Sequence, residues 1–283
     1  MQKNVIEYLL RTAETYPQKI AVQDSVKEIT FAQLLEHAHI LASRVRQYGI
    51  MNSPVGVYIP KGCDAVTAFA ALSMSGNFYV PLDTKSPSSR VESIITVLDT
   101  PILITDSEHF TDLQKITDRP ILVIDNSYTD SSIQCIAIEK LMEKQIDTDP
   151  VYSIFTSGST GIPKGVVVSH RGVIDYIDWA IETFHIDSTS VIGNQAPFYF
   201  DNSTLDIYLM YATGATLNII PDTFFAFPAK LVEYLDEKKI TFVFWVPFVL
   251  VNMANFKILD SRKPQYLRDV FFAGEVMPNK HLN

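Results

Sequence analysis

The sequence predicts an α/β fold in which helices flank layered sheets, and three observations support this prediction. Segments with helical periodicity alternate with strand-like segments along all 283 residues, as in strands connected by helices. A hydrophobic content of 47% supplies enough apolar side chains for a full core at this length. The stretch TFVFWV at 241–246 is almost entirely apolar, as in a parallel strand that is buried on both faces.

The first half of the chain shows these elements in regular succession. An amphipathic helix is predicted over 1–17. Thr30 with Gln33 forms a capping box ahead of a second helix, and Ser86 with Pro87 is a cap and first-turn pair for a later one. The strands of this half are predicted at VGVYI (55–59), FYVPL (78–82), ILIT (102–105) and ILVID (121–125).

The second half continues the alternation after a polar stretch. Asn, Ser, Thr and Asp cluster at both ends of 126–150, so this stretch is the expected connection between two sub-sheets. The segment 171–184 places its apolar residues on one helical face, and Ser203 with Asp206 forms an S-x-x-D capping box for another helix. Further strands and helices are predicted at 191–196, 203–213, 215–220 and about 229–239.

Charge, cysteine content and hydropathy exclude several classes of protein. The net charge of −9, without any run of Lys or Arg, argues against a nucleic-acid-binding surface. Cys63 and Cys135 are widely separated and form no CxxC, so we expect core thiols in a reducing compartment. No apolar stretch reaches the roughly 18 residues that span a bilayer, and no secretory leader is recognisable. The expected location is therefore cytoplasmic, with no nucleic-acid or membrane partner.

The loop TSGSTGIPKGV at 156–166 combines four hydroxyl groups, three glycines and one lysine. Hydroxyls and backbone N–H groups bind phosphate oxygens, glycines allow close approach, and lysine adds positive charge. It is not a Walker loop, because Lys164 follows Pro163 instead of glycine. It is not a nucleophile elbow, because serine occupies the position two before Ser159. Apolar strands on both sides favour a strand-to-strand phosphate loop over a solvent-exposed linker.

This loop resembles, at nearly every position, the signature loop of adenylate-forming enzymes. The subgroup it is most similar to is the amino-acid adenylation domains of non-ribosomal peptide synthetases and D-alanine–carrier protein ligases. The resemblance covers nearly the whole chain and implies the family's large N-terminal domain, a layered α/β sandwich of two sheets with flanking helices. The other segments that carry it, in the family's order, are ITFAQLLEHA (29–38), LSMSGNFYVPLD (72–83), NQAPFYFDNSTLDIYLMYATGATL (194–217) and VFFAGEVMP (270–278).

The resemblance implies activation of an amino acid by ATP with Mg²⁺. The substrate carboxylate attacks the α-phosphate, pyrophosphate leaves, and the aminoacyl group passes to the phosphopantetheine thiol of a carrier protein. No counterpart of the family's Tyr-Gly-Pro-Thr-Glu-like segment or of its C-terminal subdomain is found, so 1–283 is expected to be a partial adenylation domain that is inactive alone. By resemblance, the triphosphate would contact Thr156, Ser157, Gly158, Ser159, Thr160, Gly161, Lys164 and Gly165.

The resemblance also assigns an amino-acid site. Asp201 would pair with the substrate's α-amino group, a role that acyl- and aryl-CoA ligases generally lack, although on sequence alone it is equally a turn aspartate. Gly274 and Glu275 match the turn beside the adenine. Two phenylalanines in the pocket predict a small or medium neutral side chain. The residues implied around that side chain, each of which is also a plausible core residue, are Asn202, Leu205, Phe244, Phe271 and Ala273.

Two other functions stay open at this point. An acyl-CoA ligase-like enzyme would share the phosphate loop but not the use of Asp201. A non-catalytic nucleotide-binding fragment would keep the loop without the chemistry. A transition-metal site is not predicted, because His37 and His39 are two residues apart on a helix and point in different directions.

Overall fold

The computed structural model describes residues 2–124, 135–156 and 162–281. The helices in these ranges are α1 Ile6–Thr15, α2 Phe31–Arg46, α3 Cys63–Met74, α4 Ser88–Leu98, α5 Phe110–Ile116, α6 Ile138–Met142, α7 His170–Phe184, α8 Asn202–Thr213, α9 Pro228–Glu237, α10 Pro247–Asn255 and α11 Ile258–Ser261. The strands are β1 Ile20–Gln23, β2 Glu28–Thr30, β3 Pro54–Tyr58, β4 Phe78–Pro81, β5 Leu103–Asp106, β6 Ile121–Ile124, β7 Pro150–Thr156, β8 Lys164–Ser169, β9 Val191–Asn194, β10 Thr216–Ile219, β11 Phe242–Trp245 and β12 Asp269–Phe272.

The first of two compact units contains Met1–Gln18 and Phe31–Tyr176. Its six strands form one sheet in the order β6-β5-β3-β4-β7-β8, parallel except for the antiparallel pair β7 and β8. Sheet residues Val80 and Leu103 pack with Val91 and Ile95 of α4 and with Leu113 of α5. Burying these apolar faces against helices is what holds a mostly parallel sheet together.

A buried amide pair joins three segments of this unit. Asn4 Oδ1 accepts a hydrogen bond from Ile6 N at 2.7 Å, at the start of α1, and Asn4 Nδ2 donates to Gln145 Oε1. Gln145 Nε2 in turn donates to the carbonyl oxygens of Met74 at 2.9 Å and Leu141 at 3.1 Å. Buried amides are costly unless they are hydrogen-bonded, so this network fixes the chain segments that supply its partners.

The second unit contains Lys19–Thr30 and Ile177–Asn283. Its sheet has the order β12-β11-β9-β10-β1-β2, with β1 and β2 antiparallel and the other pairs parallel. Every residue of β11 is buried, as the apolar run predicts. On one face of the sheet, Val243 and Trp245 pack against α9 and α10. On the other face, Phe242 contacts Phe184 of α7, with ring centroids 5.3 Å apart.

The α/β class and the two sheets are confirmed, but the predicted connection between the sheets is wrong. Strands β6 and β7, on either side of the stretch 126–150, lie in the same sheet, while the chain enters the second unit at Lys19–Thr30 and again within α7, after Tyr176. A polar composition identifies a connection but does not determine which sheet the next strand joins. Cys63 is buried as expected, whereas Cys135 is exposed.

The proposed cap of α4 is also displaced. The helix begins at Ser88, with Pro87 as the residue before it and no side-chain capping hydrogen bond. Ser86 Oγ instead donates to Asp83 Oδ2 at 2.8 Å. None of the described helices is long and apolar enough to cross a membrane.

Candidate functional site

The phosphate loop connects the two strands of an antiparallel hairpin, as its flanks predict. Thr156 is the last residue of β7 and Lys164 the first of β8, and the two are directly paired in the ladder. Both are exposed. Directly paired residues on neighbouring strands have Cβ atoms roughly 5 Å apart. The structure therefore brings one hydroxyl and one ammonium group of the predicted set together where the loop leaves the sheet.

Gly165 lies next to this pair, opposite Phe155 in β7. A Cβ atom at Gly165 would lie 2.8 Å from Ser153 Oγ and 3.0 Å from the Phe155 ring. The glycine is thus required by packing between β7 and β8, in addition to any contact with phosphate. The remaining predicted phosphate-binding residues lie outside the described residues: Ser157, Gly158, Ser159, Thr160 and Gly161.

Asp201 lies immediately before α8, in the second unit. Its backbone is already helical and its carbonyl oxygen accepts hydrogen bonds from Thr204 N at 2.9 Å and Thr204 Oγ1 at 2.7 Å. Its side chain is exposed. Within the described ranges the carboxylate makes no hydrogen bond or ion pair. It is therefore available to a ligand in a way that a capping aspartate would not be.

The predicted S-x-x-D capping box at the start of α8 is wrong. The helix begins at Asn202, one residue earlier than expected, and has no side-chain cap. Ser203 Oγ donates to the carbonyl oxygen of Phe200 at 2.7 Å, and the Asp206 side chain is fully buried on the sheet side of the helix. Serine hydroxyls commonly bond back to a preceding carbonyl, and here that contact replaces the cap.

The turn after β12 lies beside the first residue of α8. Gly274 has φ = +94°, a backbone conformation that favours glycine. A Cβ atom there would lie 3.9 Å from Asn202 Nδ2 and 3.8 Å from Val246 Cγ1. Asn202, predicted for the substrate, and Gly274, predicted for the adenine side, are thus neighbours at the carboxyl edge of the sheet, where ligands of α/β proteins bind.

Glu275 follows this turn and has a local partner. Its Oε2 accepts a hydrogen bond at 3.2 Å from the backbone N–H of Phe248, in the first turn of α10. A carboxylate at a helix N-terminus is favoured both by the free N–H groups and by the helix dipole. The contact holds the turn against α10 and so gives Glu275 a structural role besides the predicted one.

The apolar part of the predicted substrate site lies on the face of the sheet that α8 covers. Phe244 and Phe271 are paired in β11 and β12, and their rings stack with centroids 4.5 Å apart. Leu205 is fully buried on α8. Ala273 continues the pairing of β12, since its N–H donates to the carbonyl oxygen of Trp245 at 3.3 Å. Phe244, Phe271, Leu205 and Ala273 thus form an apolar floor of the predicted site, and Leu205 and Phe244 are also core residues.

Sequence reasoning missed a buried polar pair in the same place. Asn194 Nδ2, at the end of β9, donates to Asp206 Oδ2 at 2.9 Å, and both residues have 0% exposure. A signal was present, because Asp206 is four residues from Asn202 and so shares its helix face, within the apolar run LDIYLMY. The S-x-x-D pattern favoured a capping role for Asp206, so its burial against Asn194 was not predicted.

The first unit also contains a groove that is not formed by the predicted site residues. An open groove of about 390 Å³ lies between α1, α2 and the start of α6. None of the residues predicted for phosphate or substrate lines it. The groove is bordered by Leu10, Ala13, Glu14, Ala32, Leu35, Glu36, His39 and Ile138.

Comparison with known proteins gives a consistent result. The family described as AMP-binding enzyme matches residues 9–283. A D-alanine–D-alanyl carrier protein ligase of Lacticaseibacillus paracasei is 32% identical over 295 aligned residues, covering 99% of this chain and 54% of that protein. An L-proline–[L-prolyl-carrier protein] ligase of Pseudomonas fluorescens is 30% identical over 296 aligned residues, covering 98% of this chain and 57% of that protein. This chain therefore spans little more than half the length of these relatives.

A solved structure agrees with the sequence matches. The non-ribosomal peptide synthetase FmoA3 in its AMPPNP-bound form superposes with a TM-score of 0.85 at 26% identity, over 98% of this chain and 29% of that chain. The α/β architecture of two sheets with flanking helices is thus shared with a synthetase whose crystals contain a nucleotide analogue.

Proposed function

We propose, from the premise that this chain belongs to the AMP-binding enzyme family, that it activates an amino acid as its adenylate for transfer to the phosphopantetheine thiol of a carrier protein. Membership of this family identifies the chain as part of an adenylate-forming ligase. The amino acid, the carrier protein and the activity itself belong to the proposal, because the chain spans little more than half the length of these relatives. Relatives that are carrier-protein ligases for D-alanine and L-proline support it.

The observation that carries the proposal is the exposed carboxylate of Asp201. An ammonium group that leaves water for an apolar site needs an opposite charge. Asp206 cannot supply it, because its side chain is buried and bonded to Asn194. Asp201 lies at the carboxyl edge of the sheet, directly before Asn202 and beside the apolar floor, with its carboxylate uncommitted among the described residues. It is therefore suited to hold the α-amino group while the side chain enters the pocket.

The hairpin of the first unit supports the nucleotide half of the proposal. Charge spreads over the phosphate oxygens as the substrate carboxylate attacks and pyrophosphate leaves, so positioned donors and cations contribute most to catalysis. The Thr156 hydroxyl and the Lys164 ammonium supply one donor and one cation at the mouth of the loop. In a chain of net charge −9, this local cation is what lets a triphosphate approach.

A dedicated cluster of metal ligands is not found among the described residues. They include no group of three or more His, Cys, Asp or Glu side chains placed to hold a metal ion. Mg²⁺ accompanies ATP in this chemistry by neutralising phosphate charge, and no step here depends on a protein ligand for it.

A binding experiment tests the role of Asp201. We would measure by calorimetry the affinity of the 283-residue chain for alanyl-sulfamoyl-adenosine, a stable analogue of the adenylate, and for its des-amino propionyl counterpart. We expect the alanyl analogue to bind about tenfold to a hundredfold more tightly, which corresponds to one charge-assisted hydrogen bond. Asp201→Asn, which keeps the shape but removes the charge, should abolish that difference.

Asp260→Ala is the matched control, since Asp260 is an exposed aspartate in the first turn of another helix of the same unit. It should leave both affinities unchanged. Equal affinity of the wild type for the two analogues would reject an amino-acid site and favour the acyl-CoA ligase alternative. Binding of adenosine analogues without any dependence on the acyl group would favour a nucleotide-binding fragment.

A further inference from the structure

The buried pair Asn194–Asp206 connects the sheet to α8 beside the proposed substrate site. Asn194 is the last residue of β9, Asp206 lies in the second turn of α8, and Nδ2 and Oδ2 are 2.9 Å apart. The carbonyl oxygen of the same amide, Asn194 Oδ1, is buried with no hydrogen-bond partner among the described residues. A buried carboxylate and a half-satisfied amide are expensive compared with apolar packing. Net stability therefore does not explain the pair.

The pair lies on the same surface as the apolar floor. Asn194 is paired in register with Phe244, and Phe244 with Phe271, so these three side chains lie side by side on one face of the sheet. On α8, Asn202 and Asp206 are four residues apart and share the face that packs on this sheet. Leu205, next to Asp206, is fully buried against the same surface.

A hydrogen bond fixes the position and rotation of a helix more narrowly than apolar contacts do. Packed side chains tolerate small rotations and translations of a helix, whereas a hydrogen bond is restricted to a narrow range of distance and angle. The contacts of Ser203 and Thr204 at the start of α8 go to carbonyl oxygens of the preceding turn. They define where the helix begins but do not tie it to the strands. The hydrogen bond between Asn194 and Asp206 ties α8 to strand β9.

We propose that Asn194 and Asp206 are positioning residues that set the rotation of α8 on the sheet and thereby decide which amino-acid side chain fits between Leu205 and the Phe244–Phe271 stack. The proposal rests on the proposed function, because it concerns the selection of an amino acid. Neither residue contacts the substrate, since both are fully buried. Their effect reaches the substrate through Asn202 and Leu205.

The test replaces both partners with apolar residues of similar size. Asn194→Leu combined with Asp206→Leu removes both ends of this hydrogen bond together, so the melting temperature should fall less than in the Asp206→Leu single variant, which leaves Asn194 Nδ2 unpaired. The readout is an affinity ratio: the affinity for glycyl-, valyl- or phenylalanyl-sulfamoyl-adenosine, each divided by the affinity for alanyl-sulfamoyl-adenosine. We expect this ratio to change at least tenfold in the double variant. Asp206→Asn, whose Oδ1 can still accept from Asn194 Nδ2, should retain the wild-type ratio.

A matched control separates positioning from general loosening. Asn218 is also buried, and it forms two side-chain hydrogen bonds, to Gln23 Oε1 at 3.1 Å and from the Tyr234 hydroxyl at 2.9 Å. It is paired in register with Gly193, the neighbour of Asn194, so it lies on the opposite face of the sheet. Asn218→Leu should lower the melting temperature and leave the affinity ratio unchanged.

The outcomes are distinct. If the wild type discriminates among the analogues but the double variant keeps the same ratio within about twofold, the positioning role is overturned and the proposed function stands. An equal change in Asn218→Leu would also overturn it. If the wild type does not distinguish aminoacyl from des-amino analogues, the proposed function fails and this inference fails with it. Should the double variant not fold, Asp206→Ser, too short to reach Asn194, must produce the same change in ratio.

Discussion

Lys164 lies in the first ladder pair after the predicted phosphate loop and has a structural role in addition to the proposed chemical one. Its backbone pairs with Thr156, which alanine can also do, while its exposed ammonium group is free to approach a ligand. The two roles can therefore be separated by mutation, because removing the side chain does not remove the ladder.

We expect Lys164→Ala to weaken ATP binding by about tenfold to a hundredfold, the value of one charge-assisted contact to phosphate, with an unchanged melting temperature. Fluorescence titration with a labelled ATP analogue measures it. Lys144→Ala, at another exposed lysine of the same unit, is the control for net charge and should have no effect. Unchanged ATP affinity in Lys164→Ala would restrict this residue to a structural role.

His170 is buried at the start of α7 and held in its neutral form. Its Nδ1 accepts a hydrogen bond from Val5 N at 3.3 Å. Burial lowers its pKa from 6.5 to about 4, against the smaller opposing effects of Asp149, Asp147 and Glu7. Because the pKa is lower in the folded state, the unfolded chain takes up a proton first as the pH falls. Stability is therefore lost between pH 6.5 and about 4.

His170→Asn retains an acceptor near the position of Nδ1 but does not titrate in this range. At about 1.36 kcal/mol for each unit of pKa shift, the wild type should lose about 3 kcal/mol relative to the variant between pH 7 and pH 4. Urea unfolding of both proteins at several pH values measures the difference, and contributions from carboxylates cancel in it. A difference that is independent of pH would show that folding does not lower the pKa of His170.

At the scale of elements, β9 requires a glycine for packing. A Cβ atom at Gly193 would lie 2.9 Å from Ile240 Cγ2 and 3.2 Å from Ile220 Cδ1, and both isoleucines are fully buried. The Gly193 carbonyl oxygen also accepts the Trp245 Nε1–H at 3.1 Å. Strand β9 cannot retreat from these side chains without breaking its pairing with β10 and β11.

We expect Gly193→Ala to destabilise the protein by about 1–3 kcal/mol through overpacking. Gly172→Ala is the contrasting control, because a Cβ atom there meets Val168 Cγ1 at 3.6 Å and Ser169 Oγ at 3.8 Å, at ordinary contact distance, in α7. Alanine favours the helix there and should stabilise it by up to about 1 kcal/mol. Thermal unfolding compares the two, and equal effects of the same sign would contradict the packing argument.

The starts of α4 and α8 show how far local sequence patterns predict helix caps. Two of the three proposed caps, at Ser86 and at Ser203 with Asp206, have the right residue types within a residue or two of the true start. Neither forms, since Ser86 bonds to Asp83 and Ser203 to the preceding turn. Serine and aspartate have several partners within reach, and their choice depends on burial and on neighbouring segments.

At the scale of the whole molecule, the excess of acidic residues governs behaviour in solution. With 32 acidic against 23 basic residues, the chain carries −9 at pH 7 and has a calculated pI of about 5.1. Self-repulsion, which keeps the protein dispersed at neutral pH, vanishes near the pI. We expect the solubility minimum close to pH 5, measured by turbidity, with recovery on return to pH 7. A minimum above pH 6 would contradict this.

The sequence alone determined the α/β class and the approximate position of most strands and helices, and it contains a motif that resembles the family's signature loop. These features are local: they depend on periodicity, on turn residues and on a short motif whose hydroxyls, glycines and lysine must be contiguous to act together. The resemblance to adenylation domains was readable for the same reason, and the family match over residues 9–283 confirms it.

Only the tertiary structure decided which strands share a sheet and which side chains share a face. It placed β6 and β7 in one sheet, exposed Asp201, and buried Asp206 against Asn194, which is twelve residues away. Such contacts join segments whose meeting depends on register and helix rotation, and both are set by the packing of the entire unit. No local pattern contains that information, because a one-residue shift in a strand or half a turn in a helix reverses the face without changing the composition.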